Sequence, residues 1–115
     1  MAISEKLLAK IQTLGDKGKY KKLCKLSTKK NPDIRAAAAA ALGTQREDEA
    51  FNALVDLVRD PVLEVRKAAV IALGEFGRKA GGEHIRNIMP LPANQSIEKE
   101  CREAISKIIA SPETR

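Results

Sequence analysis

The chain has no tryptophan, one tyrosine and two phenylalanines, so aromatic side chains make up only 3% of its 115 residues. A sheet held by β-branched and aromatic cross-strand pairs is a poor match to that composition; closely packed helices with an aliphatic, alanine-rich core are a good one. Cysteine is also scarce. Cys24 and Cys101 stand far apart, belong to no CxxC or Cys/His cluster, and read as two small buried thiols rather than a disulfide or a metal site. His84 is the only histidine, and the repeat register described below places it opposite Ala53 and Lys22, beside the apolar stripe, as a surface or helix-end residue. A metal needs several convergent ligands. No catalytic residue, metal or cofactor is therefore expected. Long apolar runs are missing too: the start, MAISEKLLAKIQTLGDK, carries Glu5, Lys6 and Lys10 and reads as neither a secretory signal nor a membrane span. The expectation is a cytoplasmic protein that does not enter a membrane.

What the chain does contain is a phrase written twice. NPDIRAAAAAALG at 31–43 returns thirty-one residues later as EVRKAAVIALG. At that offset Ile34 meets Val65, and Arg35, Ala37, Ala38, Ala41, Leu42 and Gly43 meet Arg66, Ala68, Ala69, Ala72, Leu73 and Gly74. The segments ahead of the phrase align in three copies, Leu23 with Leu54 and Ile85, and Leu26 with Leu57 and Ile88, with Tyr20 matching Phe51. A degenerate third phrase, IEKECREAIS, follows at an offset of thirty-two and pairs Val65 with Ile97, Ala69 with Cys101, Ala72 with Ala104 and Leu73 with Ile105. A fixed period of this length is the mark of a stacked repeat. Length allows one domain, 1–115.

Every apolar pattern has helical period. Asn31-Pro32 and Asp60-Pro61 each supply a cap acceptor followed by proline at a first helical position, Thr44 and Glu47 have capping-box spacing, and Gly43 and Gly74 sit where a helix would turn left-handed and stop. The spacing predicts seven helices near 4–14, 17–28, 33–42, 46–59, 62–76, 81–89 and 96–110: a lead-in helix and three pairs, at about 17–43, 46–76 and 81–110.

DIRAAAAAALG followed by a short helix and VLEVRKAAVIALGEFG resembles the short bacterial HEAT-like repeat, the type also found in phycobilin lyases. The resemblance covers most of residues 17–110 and is strongest in the two central copies. It implies an all-α, right-handed armadillo-like α-solenoid, with the first helix of each pair on the convex side and the second on the concave side. It also implies a structural ladder of charge pairs from Asp33, Arg35, Glu64 and Arg66 linking neighbouring repeats. Alanine suits such a stack, because small side chains let inner helices approach closely and alanine has the best intrinsic helix propensity. The chain departs from enzymes built on this repeat: it lacks the repeated His-Glu pairs with which deoxyhypusine hydroxylase binds iron. It also lacks the length and the lesion-facing aromatics of the HEAT-like alkylpurine DNA glycosylases, and the register gives Tyr20, Phe51 and Phe76 to packing.

Three functions follow as expectations. The first is a non-enzymatic scaffold, a monomer, that binds another protein through the concave face. Counting about 100° per residue, Val65, Ala68, Ala69, Ala72 and Phe76 fall on the core side of the fifth helix, with Lys67, Val70 and Ile71 opposite. The matching positions are Ala36, Ala39 and Ala40 in the third helix and Lys99, Arg102 and Glu103 in the seventh, and the resemblance implies that they line the concave face. The second is binding of nucleic acid or an acidic partner. Residues 1–30 hold nine lysines against Glu5 and Asp16, a net of +7 within a total of +6. Lys17, Lys21, Lys25 and Lys29 recur every four residues beside Lys22, a spacing that costs a helix roughly 0.2–0.5 kcal/mol per pair. The third is an accessory subunit of a lyase-type enzyme, which rests on the shared repeat alone.

Overall fold

The computed structural model describes residues 3–112. Seven α-helices follow one another: α1 (Glu5–Asp16), α2 (Tyr20–Leu26), α3 (Pro32–Leu42), α4 (Asp48–Leu57), α5 (Leu63–Phe76), α6 (Lys79–Ile88) and α7 (Glu98–Ala110), with a 3₁₀ segment at Pro92–Ile97. No strand occurs among the described residues. Helices α1, α3, α5 and α7 lie side by side in that order, and α2, α4 and α6 cover one side of them. The molecule measures 34 × 31 × 18 Å, and its short dimension is about two helix diameters.

Small residues set the spacing in the odd-numbered layer. A Cβ placed on Gly43 would lie 3.0 Å from Cα and Cβ of Ala72, and one on Gly74 would lie 3.0 Å from the same atoms of Ala104. Gly15 repeats the contact in looser form, 3.2 Å from Ala41 Cβ. Each odd helix therefore sets a glycine against an alanine of the next, and backbones meet where side chains would otherwise separate them. This corrects the reading of Gly43 and Gly74 as left-handed stops. Gly43 is right-handed (φ −61°), Gly74 lies inside α5, and the left-handed cap of α5 is Gly77 (φ 76°), whose N–H donates to Leu73 O.

The aliphatic rows aligned by the repeat meet between the layers. Leu23, Leu54 and Ile85 of the even helices are fully buried, as are Leu42 and Leu73 of the odd ones, and Phe51 packs on Phe76 with ring centroids 5.6 Å apart. The helix starts are partly as expected: Asn31 Oδ1 accepts from Asp33 N at 2.8 Å with Pro32 in the first turn. Others differ. Pro61 lies outside α5, although Asp60 Oδ1 still accepts from Val62 N at 2.9 Å. The Thr44 hydroxyl donates back to Ala41 O and does not cap α4. Left-handed Gly18 (φ 69°) turns the chain between α1 and α2, so α2 runs over seven residues instead of the twelve of 17–28. The 3₁₀ turn before α7 accounts for the slip of the third copy to an offset of thirty-two.

Gly74→Leu should lower the free energy of unfolding by roughly 1–3 kcal/mol, because it forces volume between two backbones. Ala40→Leu, at an exposed position of α3, should change it by less than about 0.5 kcal/mol. Urea denaturation of the two variants measures both; equal midpoints would show that α5 and α7 do not meet at Gly74.

Candidate interaction surfaces

A helix flanked on both sides and covered on a third keeps one narrow stripe of its circumference free. On α5, Ala72 faces α3 and Gly74 faces α7, while Leu73, between them in rotation, points to the even layer and lies 3.5 Å from a Cβ position on Gly81. The free stripe is therefore Glu64, Lys67, Ala68, Ile71 and Glu75, of which Ile71 is 43% exposed. The repeat register carries it to Ala36, Ala37 and Ala40 on α3 and to Lys99, Glu100, Glu103 and Lys107 on α7. Lys67 Nζ lies 3.9 Å from Glu100 Oε2 on one side of Ile71, and Lys107 Nζ lies 2.9 Å from Glu75 Oε2 on the other. The Glu75 carboxylate holds the Lys107 ammonium above its ordinary range.

Two of the sequence-predicted face residues are not on this face. Val70 and Ala39 are fully buried. Val70 sits about 40° of helix rotation from Gly74, on the flank that α7 covers, so the zero of rotation taken from Val65 was offset toward α3. Ala36 is half-buried, and Ala40, Lys99, Arg102 and Glu103 are exposed. Arg102 bonds Glu98 within its own helix at 2.6 Å.

Arg35 and Arg66 do link neighbouring repeats, but only Arg35 does so by a charge pair, and neither uses the expected carboxylate. Arg35 grips Asp60 with two parallel bonds, Nε to Oδ2 at 2.8 Å and Nη2 to Oδ1 at 2.9 Å, while its Nη1 donates to the carbonyls of Lys29 and Lys30. Arg66 repeats the arrangement one step along, Nε to Asn94 Oδ1 at 2.7 Å, Nη2 to Ala93 O and Nη1 to Asp60 O. Asp33 and Glu64 are not the acceptors. Residues two apart on a helix do not face each other, and a helical side chain leans toward the N-terminus, so each arginine reaches the loop before its own helix and the corresponding loop of the next pair. The signal that could have located these acceptors was the short polar residue ahead of α5 and of α7, Asp60 and Asn94. Burial by itself would raise the Asp60 carboxyl, but the hydrogen bonds from Arg35 and the Val62 N–H, with the charges of Arg35 and Arg66, hold it below its ordinary value.

The lysine-rich end occupies α2 and the loops on either side of it. Lys17, Lys19, Lys21, Lys22, Lys25, Lys29 and Lys30 are all exposed. Only Lys21, Lys22 and Lys25 lie on the helix: Lys17 caps α1 and Lys29 lies in the loop beyond, which corrects the reading of one helical row. Helix α2 has no side-chain cap at Lys19 and no acidic residue in its first turn.

Other chemistry is sparse. Cys101 is buried, Cys24 only half so, and both are free; desolvation and then nearby carboxylates, Glu49 and Glu47 for Cys24, Glu100 and Glu98 for Cys101, push both thiols up, which leaves them weak nucleophiles. His84 is half-buried and edge-on to Phe51, 6.5 Å between centroids. Arg78, which sequence reasoning missed, stacks its guanidinium 4.7 Å from the Phe51 centroid and 5.1 Å from that of Phe76 and bonds Asp48 at 2.9 Å. An open cleft of about 500 Å³ between α6 and α7 is lined by Ala80, Gly82, Arg86, Ile105 and Ile109. No group of three or more His, Cys, Asp or Glu side chains among the described residues is placed to hold a metal ion.

The family model for HEAT repeats matches residues 20–106. The chain belongs to the HEAT-repeat family. No curated protein and no solved structure matches it. The matched stretch begins with α2 and ends within α7, so α1 lies outside it, yet this helix seats against α3 through Gly15 in the way that later HEAT-repeat helices seat against one another.

The Arg35–Asp60 pair, with side chains 13% and 6% exposed, should show in the pH dependence of stability. The native carboxyl is depressed, so its contribution is fully present above the ordinary value of 3.8 and is lost as pH falls through the lower native value. Asp60→Ala should cost roughly 3 kcal/mol at neutral pH, since it strands a largely buried guanidinium. The gap to the unmutated protein should narrow as the pH falls from 3.8 through the lower native value and level off below it. Denaturation midpoints across acidic pH measure this; a gap constant with pH would exclude a charge contribution from Asp60.

Proposed function

We propose that this HEAT-repeat protein is a non-enzymatic interaction module, a cytoplasmic monomer, that binds another protein on the free face of the odd-numbered layer, the side the family resemblance makes concave. One observation carries the reading: Ile71 is exposed at the middle of a stripe whose neighbours on α3 are alanines. Two ion pairs to α7 border it. An apolar anchor on a floor of small side chains, edged by charge, is the anatomy of a protein-binding patch. Alanines at Ala36, Ala37 and Ala40 would let a partner's backbone come close. No helix among the described residues is long and apolar enough to cross a membrane.

The test is affinity recovery of a partner from native cytosol with nuclease present, comparing single variants. Ile71→Glu should keep the helical spectrum and lose the partner, whereas Lys21→Glu, on the other layer, should keep both. Val70→Glu should unfold the protein, because it places a charge in the α5–α7 seam. A folded Ile71→Glu protein that still recovers the same partner would move recognition away from this face.

A further inference from the structure

Elsewhere on this surface several cations are matched by a carboxylate. Lys67 faces Glu100, Arg78 faces Asp48, Arg86 faces Glu83, Arg102 faces Glu98 and Lys107 faces Glu75. The seven lysines of residues 17–30 break that pattern. No acidic residue lies within this segment, and no ion pair among the described residues engages any of them. They also oppose the helix they sit on: Lys21 and Lys22 occupy the first turn of α2, where the positive end of the helix dipole disfavours a cation. The loop that carries Lys29 and Lys30 is nevertheless ordered, because Arg35 holds its two carbonyls at 2.9 and 2.8 Å without using either ammonium group.

We propose that this end of the molecule binds the phosphate backbone of duplex nucleic acid without reading its sequence. The site does not depend on the odd-layer face and is a second binding surface. Its chemistry selects the ligand. Seven residues of helix α2 span about 10 Å, a length over which a DNA duplex presents about six phosphate charges. Three lysines on the helix, continued by Lys17, Lys19, Lys29 and Lys30 at its two ends, spread cations along such a line of charge and suit it better than a few discrete carboxylates. All the cations are lysines, which contact phosphate as point charges, with no arginine fork for bidentate recognition of a carboxylate or a guanine edge. The one aromatic residue of the segment, Tyr20, is half-buried in the interlayer packing, so base stacking is not offered. On the far side Glu49 and Asp56 of α4 line a shallow groove with Cys24 and Thr28, and their charge confines the backbone track to the α1–α2 end of the stack.

The experiment is fluorescence anisotropy of a short labelled DNA duplex with the full chain, at about 50 and about 200 mM salt. If about five lysines meet phosphates, affinity should fall roughly 10²- to 10³-fold between the two conditions, and two unrelated duplex sequences should bind equally. The triple substitution Lys21→Gln, Lys22→Gln, Lys25→Gln should reduce the logarithmic salt slope by about 3 and weaken binding more than tenfold. Its melting temperature should change little, since Lys21 and Lys22 oppose the α2 dipole while Lys25, in the last turn, is favoured by it; that readout separates lost contacts from lost structure. Lys99→Gln, on the other layer, should alter neither slope nor affinity. Undetectable binding at the lower salt, a triple variant that binds as the parent does, or equal binding to polyglutamate of matched charge would each overturn the assignment.

Discussion

The close approach of odd-numbered helices at glycine–alanine contacts is the constraint on which the rest of the molecule depends. With Gly43 against Ala72 and Gly74 against Ala104, where a Cβ added to either glycine would lie 3.0 Å from the alanine, backbones of neighbouring helices nearly touch, and at these points there is no room for anything larger. Large aliphatic side chains are consequently placed on one side, where α2, α4 and α6 cover them. That division leaves each odd helix a single free stripe, and the composition of that stripe decides what the odd layer can bind.

The arginines act at right angles to this packing. Arg35 and Arg66 each fasten the loop before their own helix to the corresponding loop of the next pair. Loops at one edge of the stack are thereby joined in series, so adjacent helix pairs are connected through partly buried, charge-assisted hydrogen bonds as well as through apolar contact. Rigid repeats linked only to their nearest neighbours give a surface whose shape is set by repetition, a sound base for recognition by a few side chains.

Charge is distributed according to position in the stack. The middle and the α7 end carry cation–carboxylate pairs, some across helix seams and some within one helix, whereas α2 carries lysines that have no ion-pair partner among the described residues, two of them in the first turn where they weaken the helix. Stability has been set aside there, and sites where a local rule is broken without local compensation are where function is sought. The two surfaces lie on different layers, one apolar at its centre and the other uniformly basic, so they suit ligands of different chemistry.

Helical class, repeat period and interlayer core were legible in the sequence because each depends on local order. Leu23, Leu54 and Ile85 share a register and are all buried; Val65, Ala69 and Ala72 likewise; Asn31 caps as its type and place dictate. The candidate face was only half legible. Periodicity fixes the angles between residues on one helix but not the direction from which neighbours arrive, so Ile71 was placed on the free side together with Val70, which α7 covers. Gly74 reads locally as a stop and becomes a contact point only when another backbone occupies the space beside it. The acceptors of Arg35 and Arg66 in the next repeat lie twenty-five or more residues away, where spacing along one helix has no bearing. The sequence determined which residues make helices and which rows are apolar, since those follow from 3.6-residue periodicity and capping chemistry. Tertiary structure alone decided rotation, seam and pairing, because each is a property of two segments meeting and not of either one.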